Sequence, residues 1–181
     1  MQINLKTCTE EELWKYVATH LKSNNIDAVL VGGAVVSIYT EGAYESGDLD
    51  FILTDYFVKN IPEIMSEIGF QRKGRHYVHP DCHHLYVEFP KGPLEIGDDF
   101  NIIPDEVIVE GKAIKILSPT DCVKDRLASY IYFKDRVGLD QALLVSKKHT
   151  VDFDKVRIWC DKENASAVFE EFKEALRRQE G

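Results

Sequence analysis

The sequence predicts an α+β fold, with a mixed sheet flanked by helices over residues 1–117 and a helical portion packed on it over residues 118–181. Three observations carry that expectation. Short apolar runs end in glycine or proline, which is the length and punctuation of strands. Segments with helical spacing and capping residues lie between them. From Ser118 onward the strand-like runs stop and helical spacing continues almost to the end. A chain of 181 residues with 44% hydrophobic content has material for a core of its own.

In "TCTEEELWKYVATHLKSNN", Thr9 and Glu12 have the spacing of a capping box, and Leu13, Val17 and Leu21 recur on one helical face. "IDAVLVGG" is a continuous apolar run ended by Gly32 and Gly33, as expected of a strand covered on both faces. "AVVSIYTEG" reads as a short helix closed by Gly42, with Ala34, Ser37 and Ile38 on one side. "DLDFIL" is a second strand, and "IPEIMSEIG" is a helix with proline in its first turn. "RHYVHPD" and "HLYVEFP" are further strands, and "EVIVEGKAIKIL" is a hairpin turning at Glu110 and Gly111. Ser118-Pro119-Thr120-Asp121 opens a helix whose buried stripe is Val123, Leu127 and Ile131. The last segment places Ala165, Val168, Phe169, Phe172 and Leu176 on one face.

The charge balance narrows the function. With 31 acidic against 22 basic residues the net charge is −9, which argues against a broad phosphate-neutralising surface, so a nucleotide partner would need a local site. No apolar run approaches the roughly 20 residues that span a bilayer, and the N-terminus lacks a leader pattern. Cys8, Cys82, Cys122 and Cys160 are scattered without close pairing. A cytoplasmic protein with reduced thiols and no membrane partner is expected.

Asp48 and Asp50 stand in the middle of an otherwise buried strand. Alternation puts them on one face with Ile52, while Leu49, Phe51 and Leu53 face the core. Two adjacent carboxylates repel one another unless a cation lies between them, and magnesium suits such oxygen ligands together with substrate phosphate. In "HLYVEF", Leu85, Val87 and Phe89 form the apolar face, so Glu88 stands opposite and reaches the same site if the two strands are neighbours. Glu95 or Asp98 are alternative third carboxylates. Gly32 and Gly33 lie where a strand turns into a helix, and there the bare backbone can approach a phosphate. The spacing fits neither the P-loop nor the dinucleotide fingerprint.

A strand ending in a glycine pair, a short helix, Asp-x-Asp on the next strand and a later lone acid together resemble the nucleotidyltransferase superfamily with the polymerase-beta-type palm. The similarity points to small prokaryotic members related to aminoglycoside and lincosamide nucleotidyltransferases and to the abortive-infection and toxin–antitoxin branches. It rests on Gly32-Gly33, Asp48-Leu49-Asp50 and Glu88, and leaves the helical remainder only loosely covered. The resemblance implies an enzyme that moves a nucleoside monophosphate from a nucleoside triphosphate to an acceptor hydroxyl on a small molecule, protein or RNA. Asp48, Asp50 and Glu88 would hold magnesium or manganese and do the catalysis. Gly32 and Gly33 would seat phosphate, aided by Ser46 and Lys124. The alternative is a regulatory protein of the same fold that acts by binding a protein partner, as in a toxin–antitoxin pair.

A second cluster, "HYVHPDCHH", gathers His76, His79, Cys82, His83 and His84. These are zinc-type ligands whose spacing fits none of the standard zinc signatures, and a turn beside the active site is the other reading.

Overall fold

The computed structural model describes residues 1–55, 58 and 60–180. Helix α1 (Glu10–Ser23) begins as its sequence dictates. Thr9 Oγ1 accepts from the Glu12 N–H and the Glu12 carboxylate accepts from the Thr9 N–H, completing the capping box. Its buried face includes Leu13, Trp14, Val17 and Leu21. Strand β1 (Ala28–Val31) follows, with Ala28, Val29 and Leu30 buried. Helix α2 (Gly33–Tyr39) ends at its Thr40 cap, before Gly42. Then come β2 (Asp48–Leu53), α3 (Ile61–Glu67), β3 (Gln71–Lys73), β4 (His76–His79) and β5 (Cys82–Glu88). The hairpin β6 (Asp105–Val109) and β7 (Lys112–Ile116) turns at Glu110 and Gly111, both at positive φ, as a tight two-residue connection requires.

The strands form one mixed sheet in the order β3-β4-β5-β2-β1-β7-β6. The pairs β1–β2, β3–β4, β4–β5 and β6–β7 are antiparallel, while β2–β5 and β1–β7 are parallel. β3 was not expected. Its residues Gln71, Arg72 and Lys73 are all exposed at the sheet edge, so no apolar alternation announces it.

The helical portion consists of α4 (Pro119–Phe133), α5 (Arg136–Lys148), α6 (Phe153–Lys162) and α7 (Ser166–Glu180). Ser118 caps α4 by accepting from the Asp121 N–H. Between α4 and α5, Lys134 takes the left-handed conformation and Asp135 caps the next helix by accepting from the Val137 N–H. One hydrophobic cluster runs through both parts of the chain, from Leu13 and Leu30 through Leu117 to Leu139, Trp159 and Phe172. Polar contacts cross the same seam. A ring nitrogen of His149 lies 2.8 Å from the Tyr39 carbonyl and Trp159 Nε1 donates to the Ile96 carbonyl at 2.9 Å. Among the described residues no helix is long and apolar enough to cross a membrane.

Candidate active site

The sheet register assembles a polar row. His76 on β4 pairs with Glu88 on β5, Glu88 with Asp50 on β2, and Asp50 with Val31 on β1, directly before Gly32. Asp48 pairs with Tyr86 two residues along the same strands. The opposite face of these strands supplies Leu49, Phe51, Leu85 and Val87 to the core, which fixes the direction in which the acids point.

Gly32 has φ 77° and ψ −153°, and a Cβ there would lie 2.8 Å from Asp50 Oδ2. Both the backbone conformation and the closeness of that carboxylate demand glycine. A Cβ at Gly33 would meet Ser46 Oγ at 3.0 Å. Ser46 is buried, and its hydroxyl lies 3.0 Å from both the carboxylate Oδ1 and the carbonyl of Asp48. Its N–H donates to Glu10 Oε1 at 2.8 Å, so the first turn of α1 helps position the loop before β2.

Burial, together with the neighbouring charges of Asp48 and Glu88 and against the opposing Arg126, raises the pKa of Asp50 to about 7. Glu88 is 8% exposed, and its Oε1 lies 3.2 Å from both Arg75 Nε and His76 Nε2. The oxygens of Asp48, Asp50 and Glu88 do not all lie within 4.8 Å of one another, and Glu88 Oε1 faces Arg75 and His76 instead. Asp48 and Asp50 on one strand face, with Glu88 opposite on β5, are oxygen donors that could hold a hard divalent ion, which would offset the cost that burial and the neighbouring acids place on the charge of Asp50.

A cavity of about 230 Å³ opens beside Asp50 and is lined by Gly32, Leu94, Glu95, Leu117, Asp125 and Arg126, among others. Glu88 borders a second cavity of about 650 Å³ with Arg72, Arg75 and Lys91, and Pro90 lines both. Of the alternative acids, Glu95 lines the Asp50 cavity and Asp98 does not. Lys124 faces neither cavity. It is buried in a different groove, where Nζ lies 2.7 Å from Asp99 Oδ2 and 2.7 Å from Asp121 Oδ1. Burial opposes its charge, and the two carboxylates outweigh that and raise its pKa.

The cation that α4 sends to the Asp50 cavity is Arg126, held by Asp125 Oδ2 at 3.0 Å and by Gln141 Oε1 at 3.2 Å. Sequence reasoning missed it, and its place two positions beyond Lys124 is the only trace it leaves there. It also missed His76 as the in-register partner of Glu88, although the alternation of the β4 strand carried that signal.

Three solved structures share this architecture. An antigenic nucleotidyltransferase-like protein from Paracoccidioides brasiliensis superposes with a TM-score of 0.54 at 16% identity, over 78% of this chain and 75% of its own. The solution structure of the antibiotic-resistance factor ANT(2'')-Ia gives 0.56 at 12% identity, over 94% and 96%. The crystal structure of ANT(2'')-Ia with adenylyl-2''-tobramycin gives 0.52 at 11% identity, over 95% and 98%. The chain has a nucleotidyltransferase-like fold. No family sequence model matches this nucleotidyltransferase-like chain, and no curated protein sequence does.

Proposed function

We propose that this chain transfers a nucleoside monophosphate from a nucleoside triphosphate to an acceptor hydroxyl and releases pyrophosphate. The observation that carries this reading is the register of β2 against β5, which sets Asp50 opposite Glu88 with Asp48 on the same strand face, beside the Gly32 turn. Asp48, Asp50 and Glu88 would hold magnesium or manganese, which when bound neutralises charge on the triphosphate and on the leaving pyrophosphate.

The chain's own residues supply the rest. Ser46 orients the Asp48 carboxylate through its hydroxyl. The backbone at Gly32 and Gly33, free of side chains, lets a phosphate come close to β1. Arg72, Arg75 and Lys91 give the cavity next to Glu88 a cationic wall suited to a polyphosphate, and Arg126 does the same beside Asp50. Glu88 either completes the ligand set or accepts the proton of the attacking hydroxyl. We place the reaction in the cytoplasm, where nucleoside triphosphate is available and cysteines are kept reduced.

The test is incubation with radiolabelled nucleoside triphosphates and magnesium, with an aminoglycoside as the first acceptor because the adenylyl-tobramycin complex of ANT(2'')-Ia shares this fold. Wild type is expected to release pyrophosphate and label the acceptor, and Asp48→Ala and Asp50→Ala to lose at least about a hundredfold in rate. Equal release by all three proteins removes the catalytic reading and favours a partner-binding role for the fold.

A further inference from the structure

The segment before α1 and the start of β5 bring two thiols and an imidazole together away from the carboxylate row. Cys8 Sγ, Cys82 Sγ and a ring nitrogen of His84 all lie within 4.8 Å of one another, the one such group of three or more His, Cys, Asp or Glu among the described residues. Cys82 and His84 are two residues apart on β5 and so share a face. Cys8 directly precedes the Thr9 cap. The two thiols are buried, at 4% and 2% exposure, while His84 reaches the surface.

The imidazole is already oriented for ligation. His84 Nε2 lies 2.8 Å from the Cys8 carbonyl. A carbonyl can only accept, so Nε2 carries the proton, and in the neutral ring Nδ1 is left with a bare lone pair. That Nδ1 is 4.0 Å from Cys82 Sγ. A ring N–H anchored on a backbone carbonyl is how metal-binding histidines are held in place. With zinc–sulfur bonds of about 2.3 Å and zinc–nitrogen bonds of about 2.0 Å, tetrahedral donors sit roughly 3.4–3.8 Å apart, so Nδ1 and Cys82 Sγ need close by about 0.5 Å and no pair by more than about 1.4 Å.

We propose that Cys8, Cys82 and His84 form a zinc site that ties the N-terminal segment to β5, with the fourth position open to water on the exposed side of His84. Binding deprotonates both thiols, and the two protons leave to solvent. The soft donor set excludes magnesium, so the site does not compete with the carboxylates for that ion and stands whether or not the chain transfers nucleotides. The other histidines of the cluster are engaged elsewhere or exposed. His76 contacts Glu88, His79 Nδ1 accepts from the Asp81 N–H, and His83 is exposed.

The full chain, reduced and stripped with a chelator, is titrated with zinc(II) alone against a chromophoric competitor, with cobalt(II) in parallel. One equivalent of tight zinc is expected, with a thiolate-to-cobalt charge-transfer band. His84→Gln keeps a donor near the Cys8 carbonyl but removes the ligand nitrogen at the surface, and is expected to weaken binding at least about a hundredfold with the melting curve of the metal-free protein unchanged. Cys82→Ala should abolish the band, and His83→Ala should match wild type. Zinc uptake by His84→Gln equal to wild type, no stoichiometric uptake by the wild type, or formation of a Cys8–Cys82 disulfide in reduced-then-aerated protein that takes up no zinc when reduced would each overturn the site.

Discussion

Asp50 is a carboxylate that the fold holds partly out of water, opposite Glu88 and two positions from Asp48. Its pKa, raised to about 7 in the folded chain, lies above that of an ordinary aspartate. Between about pH 4 and pH 7 the folded state therefore binds more protons than the unfolded one, and stability falls as pH rises through that window. In the presence of a chelator, Asp50→Asn is expected to raise stability at pH 8 by about 1–3 kcal/mol and to change it little at pH 4. Thermal melts at the two pH values check this, and an equal difference at both would contradict it. The common face of these three acids was legible in the sequence because strand alternation assigns faces without any knowledge of the fold. Arg126 was not. Helical spacing separates the core face of α4 from the rest, but whether Lys124 or Arg126 turns toward the Asp50 cavity depends on packing against α5 and on acids distant in the chain, Asp99 among them.

Elements that bury apolar residues were readable, and elements held by geometry alone were not. β2 and β5 declare themselves by alternation, whereas β3 has only exposed polar residues and exists because β4 offers it an edge. The break between α4 and α5 has neither glycine nor proline at Lys134, and only the Asp135 cap marks it. Once broken, the two helices approach closely at Gly138, where a Cβ would lie 2.5 Å from the Arg126 carbonyl oxygen and 3.2 Å from Ser129 Cβ. Alanine has the better helix propensity, by about 1 kcal/mol, yet here it would drive backbone from backbone. Gly138→Ala is expected to lower stability by about 1–3 kcal/mol and, by displacing Arg126, to weaken the nucleotide binding proposed above. Denaturant titration and nucleotide affinity together measure both effects. A stabilised variant would show that the helices are not in contact there.

Across the whole molecule the sheet and the helices share one interior. Leu117, Val123, Leu127 and Trp159 are buried in the cluster that also contains Leu30 and Val36. Lys148 Nζ donates to the Thr40 carbonyl at 2.9 Å, and a ring nitrogen of His149 lies 2.8 Å from the Tyr39 carbonyl. A fragment ending at Leu117 would leave that interior open to water, and it is expected to lack a cooperative thermal transition by circular dichroism, while the full chain melts in one step. A sharp melt of the fragment would make residues 1–117 an independent unit. The start of the helical portion after Ser118 was visible in the sequence as a change of periodicity, but the shared interior was not, because periodicity says which face is apolar and not what covers it.

The parallel pairing of β2 with β5 also sets a timetable. Asp50 and Glu88 are joined by α3, β3 and β4, and no contiguous stretch of chain shorter than that span can place them side by side. On the ribosome, Asp48 and Asp50 emerge long before Glu88, and β1 then waits for β7 to seal its other edge. A nascent chain thus carries Asp48 and Asp50 before the strand that sets Glu88 opposite Asp50 exists, and the acid row is completed only once β5 has paired with β2.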